Sequence, residues 1–253
     1  MMIQQGAKKH IARWTPLAMI RFEDLIEKVR RNRPDADLEL IRRAYAFSAS
    51  EHKGQVRHSG EPYLGHPLEV ANLLADMHLD AVVIAAGLLH DVVEDTLTTI
   101  ERIEEEFGSE VAHVVAGVTK LSTIPFSSST ERQAESFRKM LLAMVDDIRV
   151  ILVKLVDRLH NMRTLGHLSE DRQLRIAQET KDIYAPIANR LGMSKVKNEL
   201  EELAFRHLEP KAYEALRVKV GERSRANERL IEDFRQTILP KLADAEIPVV
   251  KLD

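Results

Sequence analysis

Apolar residues along the chain recur at helical rather than strand spacing. Leu17, Ile20, Leu25, Ile26 and Val29 make one stripe, which Asn32-Arg33-Pro34 ends. Leu38, Ile41, Tyr45 and Ser48 share a face of a second helix, capped by Asp35 or Asp37 and running to about His52. Gly54 to Gly65 is rich in turn residues and, with Lys53, Arg57 and His58, reads as a basic loop. Pro67 is suited to a first helical turn, so His66 stands at the entry of a third helix carrying Leu68, Val70, Ala71, Leu74 and Met77. Asp80 caps the next, whose Ala81 to Leu89 is apolar on every side and so buried.

Thr98 with Glu101 resembles a capping box and Gly108 closes that short helix; Ser109 caps another, to about Leu121. Ser122 to Thr130 reads as a loop, and Thr130 with Gln133 starts a helix through Phe137, Met140, Leu141 and Met144. Asp146 caps a helix over Asp147 to Thr164. Ser169 opens a helix towards Leu191, kinked by Pro186 and ended by Gly192, and Ser194 caps its successor. A long charged helical pattern runs from Pro210 to about Ala245, after which Ile247 to Leu252 looks like a strand cut short, as where another domain would begin. The pattern predicts an all-α protein.

Two of the buried helices carry polar exceptions. Residues 85–96 put His90, Asp91, Glu94 and Asp95 into an apolar run, and helical spacing crowds all of them into one sector. Three are carboxylates, whose proximity is costly unless a cation or retained protons neutralise them. A solvated helix end accounts for Glu94 and Asp95 taken alone, but less well for His90-Asp91 behind Leu88-Leu89. On the helix 147–164, Lys154, Asp157, Asn161 and Thr164 form a single polar stripe with Arg158 beside it. That stripe either lines a site or is a solvated face. With His66, these helices offer a two-histidine, two-aspartate set, His66, His90, Asp91 and Asp157, suited to manganese, iron, cobalt or zinc.

Composition narrows the chemistry. The chain has 253 residues, 44% of them hydrophobic, enough for real cores. A net charge of -3 without a long basic run argues against nucleic acid or a membrane surface as the main partner. With no cysteine, disulfides, thiolate metal sites and cysteine nucleophiles are excluded, so any metal must use His, Asp or Glu. The longest apolar run falls far short of the roughly 20 residues a spanning helix needs, and no signal-peptide core opens the chain, which reads as cytoplasmic.

The order His … His-Asp … Asp resembles the HD superfamily of metal-dependent phosphohydrolases. Longer words are more specific: Arg57-His-Ser-Gly-Glu-Pro-Tyr63, His66-Pro67, His90-Asp-Val-Val-Glu-Asp-Thr96, Lys154-Leu-Val-Asp-Arg-Leu-His-Asn-Met162 and Asn189-Arg-Leu-Gly192. Together they resemble the hydrolase domain of the Rel/SpoT family, which makes and destroys the stringent-response alarmone (p)ppGpp. The resemblance implies an HD-superfamily bundle of about ten helices, with a hydrolase domain over 1–195 and a helical linker over 196–253 leading toward an absent synthetase domain. It implies a 3′-pyrophosphohydrolase that converts (p)ppGpp to GDP or GTP and pyrophosphate. His66, His90, Asp91 and Asp157 would hold one Mn2+ per chain, and Glu94 and Asp95 would position and deprotonate the attacking water. Arg57 would flank the guanine, and Ser59, Asn161 and Thr164 would contact base, ribose or the 3′-pyrophosphate. His58 departs from the family, which commonly has Lys or Arg there. The alternatives weighed beside this are an HD phosphohydrolase for another nucleotide and a regulatory fragment with a structural metal.

Overall fold

The computed structural model describes residues 20–57, 60, 62–122 and 146–245. Every regular element among them is helical, and an isolated bridge between Val56 and Pro62 closes the turn-rich loop. In chain order these are α1 (Phe22–Asn32), α2 (Leu38–Glu51), α3 (Gly65–Asp76), α4 (Ala81–Leu89), α5 (Val92–Asp95), α6 (Ile100–Phe107) and α7 (Ser109–Ser122). There follow α8 (Ile148–Arg163), α9 (Glu170–Glu179), a π-helical turn over Thr180–Tyr184, α10 (Ala185–Arg190), α11 (Ser194–Leu208) and α12 (Pro210–Asp244). The expected all-α bundle is the fold. The described residues up to Leu208 make one compact unit. In the other, the described element is α12, which exposes Leu216, Val218 and Val220.

Two helices form the centre. α4 is buried over almost its whole surface and packs on α2, α3 and α7; α8 packs on α3, α7 and α11. Fully burying a Leu or Ile side chain contributes about 1.5–3 kcal/mol, and α4 and α8 bury Ile84, Leu88, Leu89, Ile151 and Leu155. Close approach is made possible by glycine: a Cβ on Gly87 would stand 2.5 Å from Leu74 Cδ1, and one on Gly117 would stand 2.5 Å from Val150 Cγ2. α3 and α4 form an antiparallel hairpin, turned through His78 at φ 58°. The pairing of Gly87 with Val70 and Leu74 therefore brings the start of α3, with His66, against the end of α4, with His90.

The helix ends refine the expectations. Asp37 and Asp80 cap α2 and α4, accepting from the amides of Leu40 and Val83. The cap of α6 is Thr99 rather than Thr98, and that of α8 is Asp147 rather than Asp146, because those side chains reach the amides of Arg102 and Arg149. Residues 85–96 do not form one helix. α4 stops at Leu89 because the His90 ring takes the Gly87 carbonyl at 2.8 Å, the acceptor a continuing helix would offer the amide of Asp91. Beyond Ser169 the expected Pro186 kink is absent as such. The interruption is the π-turn, and Pro186 sits in the first turn of α10. The loop from Ser122, the helix from Thr130 and the strand from Ile247 fall largely or wholly outside the described residues.

Candidate metal centre

His66, His90 and Asp157 each offer a ligand atom within 4.8 Å of the others. His66 Nε2 lies 3.2 Å from Asp157 Oδ1 and 3.4 Å from Asp91 Oδ2, and His90 Nε2 lies 3.0 Å from Asp91 Oδ1. Three elements thus bring together the four side chains singled out in the sequence. Both imidazoles are oriented from behind. His90 Nδ1 donates to Gly87 O, so the neutral ring keeps its Nε2 lone pair toward the carboxylates. His66 Nδ1 faces His160 Nδ1 at 2.7 Å. Burial first, then His66 and Arg57, hold His160 at about 3, a neutral ring, and burial lowers His66 as well.

The result is a convergence of acceptors. His90 Nε2 is fully buried and makes no hydrogen bond, although Asp91 Oδ1 is close. Without a metal, a proton is the available cation. Burial pulls His90 down, but Asp91 and Asp157 outweigh it and push the ring up to about 10. Burial likewise opposes charge on Asp157, yet Lys154, at 2.9 Å, with the two histidines holds it well below the usual carboxylate range. An orphaned buried nitrogen facing two carboxylates is the donor set that a divalent cation satisfies, and nitrogen–oxygen sets of this kind suit several first-row metals.

Around this centre is a cavity of about 640 Å³. Lys154, Asp157, Asn161 and Thr164 all line it, so the polar stripe faces a site rather than bulk solvent. Glu94 is on the wall, exposed, one turn past the histidine and aspartate of the motif. Asp95 is exposed as well and accepts from the Tyr63 hydroxyl, which also donates to Asp91 Oδ2 at 3.0 Å. Arg57 donates to Asn161 Oδ1 at 3.0 Å, and Asn161 donates to Asp157 Oδ1, so both are tied to the ligand set. Thr164 caps α8, its hydroxyl bonded to His160 O at 3.2 Å. Ser59 and His58 lie outside the described residues.

The cavity wall also carries an ionic cluster around Arg158. Arg158 donates to Glu179 Oε1 at 2.6 Å and lies 4.1 Å over the Tyr184 ring. Glu179 and Tyr184 are five apart, a spacing that the π-turn between them turns toward one partner. Burial raises the Glu179 carboxyl against the pull of Arg158. Sequence reasoning missed His160, Tyr63, Glu179 and Tyr184 as parts of the site. The first two stood inside the quoted motifs, but no periodicity announces a π-turn.

Comparison with known proteins supplies the context. Residues 44–194 match the family model of the HD domain. The chain is similar to a GTP pyrophosphokinase of Myxococcus xanthus, at 56% identity over 88% of this chain and 30% of that protein. It is similar to a probable guanosine-3′,5′-bis(diphosphate) 3′-pyrophosphohydrolase of Synechocystis, at 55% over 82% and 27%. It is also similar to the bifunctional (p)ppGpp synthase/hydrolase SpoT of Escherichia coli, at 47% over 91% and 33%. Among solved structures, a metazoan ortholog of SpoT described as hydrolysing ppGpp matches with a TM-score of 0.53 and 26% identity, over 66% of this chain and 94% of that one. The chain thus spans about a third of the length of these curated relatives.

Proposed function

The chain belongs to the HD-domain family and is homologous to the Rel/SpoT enzymes, and from that premise we propose that it is a metal-dependent 3′-pyrophosphohydrolase of (p)ppGpp. The observation that carries the proposal is the convergence of His66, His90, Asp91 and Asp157 on one point of a cavity that also exposes Glu94 and several basic side chains. Those four residues would hold the metal, one per chain, with manganese the ion proposed. When bound, a divalent cation neutralises phosphoryl charge and lowers the pKa of water.

The chain's own residues supply the remainder. Glu94 and Asp95 orient the attacking water and take its proton. The water oxygen bonds to the phosphorus attached to the ribose 3′-oxygen, the bond to that oxygen breaks, and the 3′-oxygen takes up a proton. Pyrophosphate leaves, with GDP from ppGpp or GTP from pppGpp. Arg57 flanks the base, while Ser59, Asn161 and Thr164 contact base, ribose or the 3′-pyrophosphate. Hydrogen bonding of Arg57 to Asn161 and of Asn161 to Asp157 supports this, because it links the nucleotide contacts to the ligand set.

Within the same proposal the hydrolase domain is followed by a helical linker, drawn from the sequence at 195/196, and the chain acts in the cytoplasm without binding nucleic acid. α11 packs on α8, α9 and α10, which favours a linker that starts after it. Among the described residues no helix is long and apolar enough to cross a membrane. The deciding assay measures pyrophosphate released from ppGpp with Mn2+, Mg2+, Co2+ or Zn2+ supplied in turn. Turnover is expected, highest with Mn2+; folded, metal-loaded protein that releases none overturns the proposal. A panel with deoxynucleotides and cyclic dinucleotides separates it from other HD phosphohydrolases.

A further inference from the structure

Tyr63 is given no chemical role above, yet its hydroxyl is where the ligand set meets the candidate proton acceptors. It lies in the loop between α2 and α3, and its single hydroxyl proton is within hydrogen-bond reach of two acceptors, Asp91 Oδ2 at 3.0 Å and Asp95 Oδ2. Its ring stacks on the buried His52, with centroids 4.3 Å apart and planes at 17°, and Arg57 lies 5.9 Å over it. His52 Nδ1 in turn meets Gln55 Oε1 at 2.8 Å, and the Gln55 amide reaches the main-chain carbonyl of Asp95 at 3.2 Å. One loop therefore grips Asp95 at both side chain and backbone.

That grip answers a physical problem. Asp95 is exposed at the end of α5, a single helical turn, where a carboxylate would otherwise sample several rotamers. A proton acceptor needs a fixed position relative to the reacting water. A phenol has one proton to give, and both of its partners here accept. A carboxylate has no proton to give, so the phenol is the donor in both contacts.

We propose that Tyr63 is a positioning residue that, anchored on Asp91, fixes the Asp95 carboxylate for proton transfer. The inference rests on Glu94 and Asp95 being the proton-handling pair. Its test compares Tyr63→Phe, which keeps the ring and its stack on His52, with Asp95→Asn and the double variant, all at saturating Mn2+. Expected is a kcat for ppGpp hydrolysis lower by about 10–100-fold, the range found when groups that orient a metal site are lost, with KM changed less than about threefold. In the Asp95→Asn background, Tyr63→Phe should cost nothing further, because it acts through that carboxylate. A readout independent of turnover is proton NMR: the Tyr63 hydroxyl should give a downfield, slowly exchanging signal, absent in Tyr63→Phe and displaced in Asp95→Asn. Multiplying effects in the double variant, a loss abolished by excess metal alone, a kcat within twofold of wild type, or a hydroxyl signal indifferent to Asp95→Asn would each overturn it. Wild-type protein without turnover would instead overturn the functional proposal, leaving the hydroxyl signal to decide on Tyr63.

Discussion

Asp157 and Arg158 are neighbours on α8, and the structure resolves their charge in opposite ways. Around Asp157, acceptors from three elements converge: two imidazoles, Asp91 and Asp157 itself, with Lys154 at the edge. Arg158 finds its complement within the protein, one carboxylate and one aromatic face. On the proposed reading the first set is completed by a metal ion, whereas Arg158 takes its partners from the chain itself. Burial of charge alone does not mark a site; a buried set in which acceptors from several elements outnumber the donors that face them does.

The largest effect should come from breaking the complete set. Arg158→Met leaves Glu179 buried without its partner and should cost about 3–5 kcal/mol in denaturant unfolding, whereas Arg158→Met with Glu179→Leu should be close to neutral. Equal losses in single and double variants would mean that the pair does not compensate itself. In the incomplete set, Asp157→Ala should weaken Mn2+ binding by more than the roughly 10–100-fold that orienting groups are worth, read by calorimetry. Divalent metal at a hundredfold excess over Kd should stabilise the wild type by about 2.7 kcal/mol, and Asp157→Ala hardly at all. An alanine variant that still binds one metal per chain at wild-type affinity removes Asp157 from the ligands.

A smaller effect sharpens how the incomplete set is built. Gly87→Ala drives a methyl into Leu74 and should cost about 1–3 kcal/mol. Because His90 is oriented by the Gly87 carbonyl, metal affinity should fall too. Unchanged affinity would show that the α3–α4 approach is not what sets the histidines. The smallest effect is a control at the far end of α8, where Asp147→Ala should cost about 0.5–2 kcal/mol at pH 7 as a lost cap and leave metal binding untouched. Hydrogen bonds from Arg149 hold the Asp147 carboxyl below its usual range against burial. Its stabilisation is therefore present above the unfolded value near 3.9 and is lost as pH falls through the lower folded one, so melting temperatures of wild type and variant should converge there.

Much of this was legible in the sequence, for identifiable reasons. Helical periodicity located most of the helices, since an apolar stripe must face a core. The four candidate ligands stood out because His90-Asp91 and Asp157 interrupt buried helices, and the structure brings them together with His66. What escaped was set by competition at single atoms. Thr99 and Asp147 won their caps over adjacent residues of the same type, and His90 ended α4 by taking a carbonyl from the backbone. The Tyr63 bridge joins residues about thirty apart through a loop, and no spacing rule reaches that far. Glu179 and Tyr184 read as ordinary helix positions until the π-turn is seen.

That turn makes part of the cavity wall depend on chain length as much as on residue identity. A π-turn holds one residue more than α-helical winding requires, so the segment 180–184 takes up that residue between α9 and α10 without interrupting the helix direction. Deleting one residue from 181–183 would let the hydrogen bonding close into a continuous α-helix, and because the turn absorbs its extra residue locally, the helix beyond would keep its phase. Glu179 and Tyr184 would then stand four apart, the α-helical spacing that still shares a face. Point substitutions are tolerated or not according to their chemistry, but at this place a single deletion would put Pro186 inside an unbroken helix, where its ring meets the carbonyl four residues back.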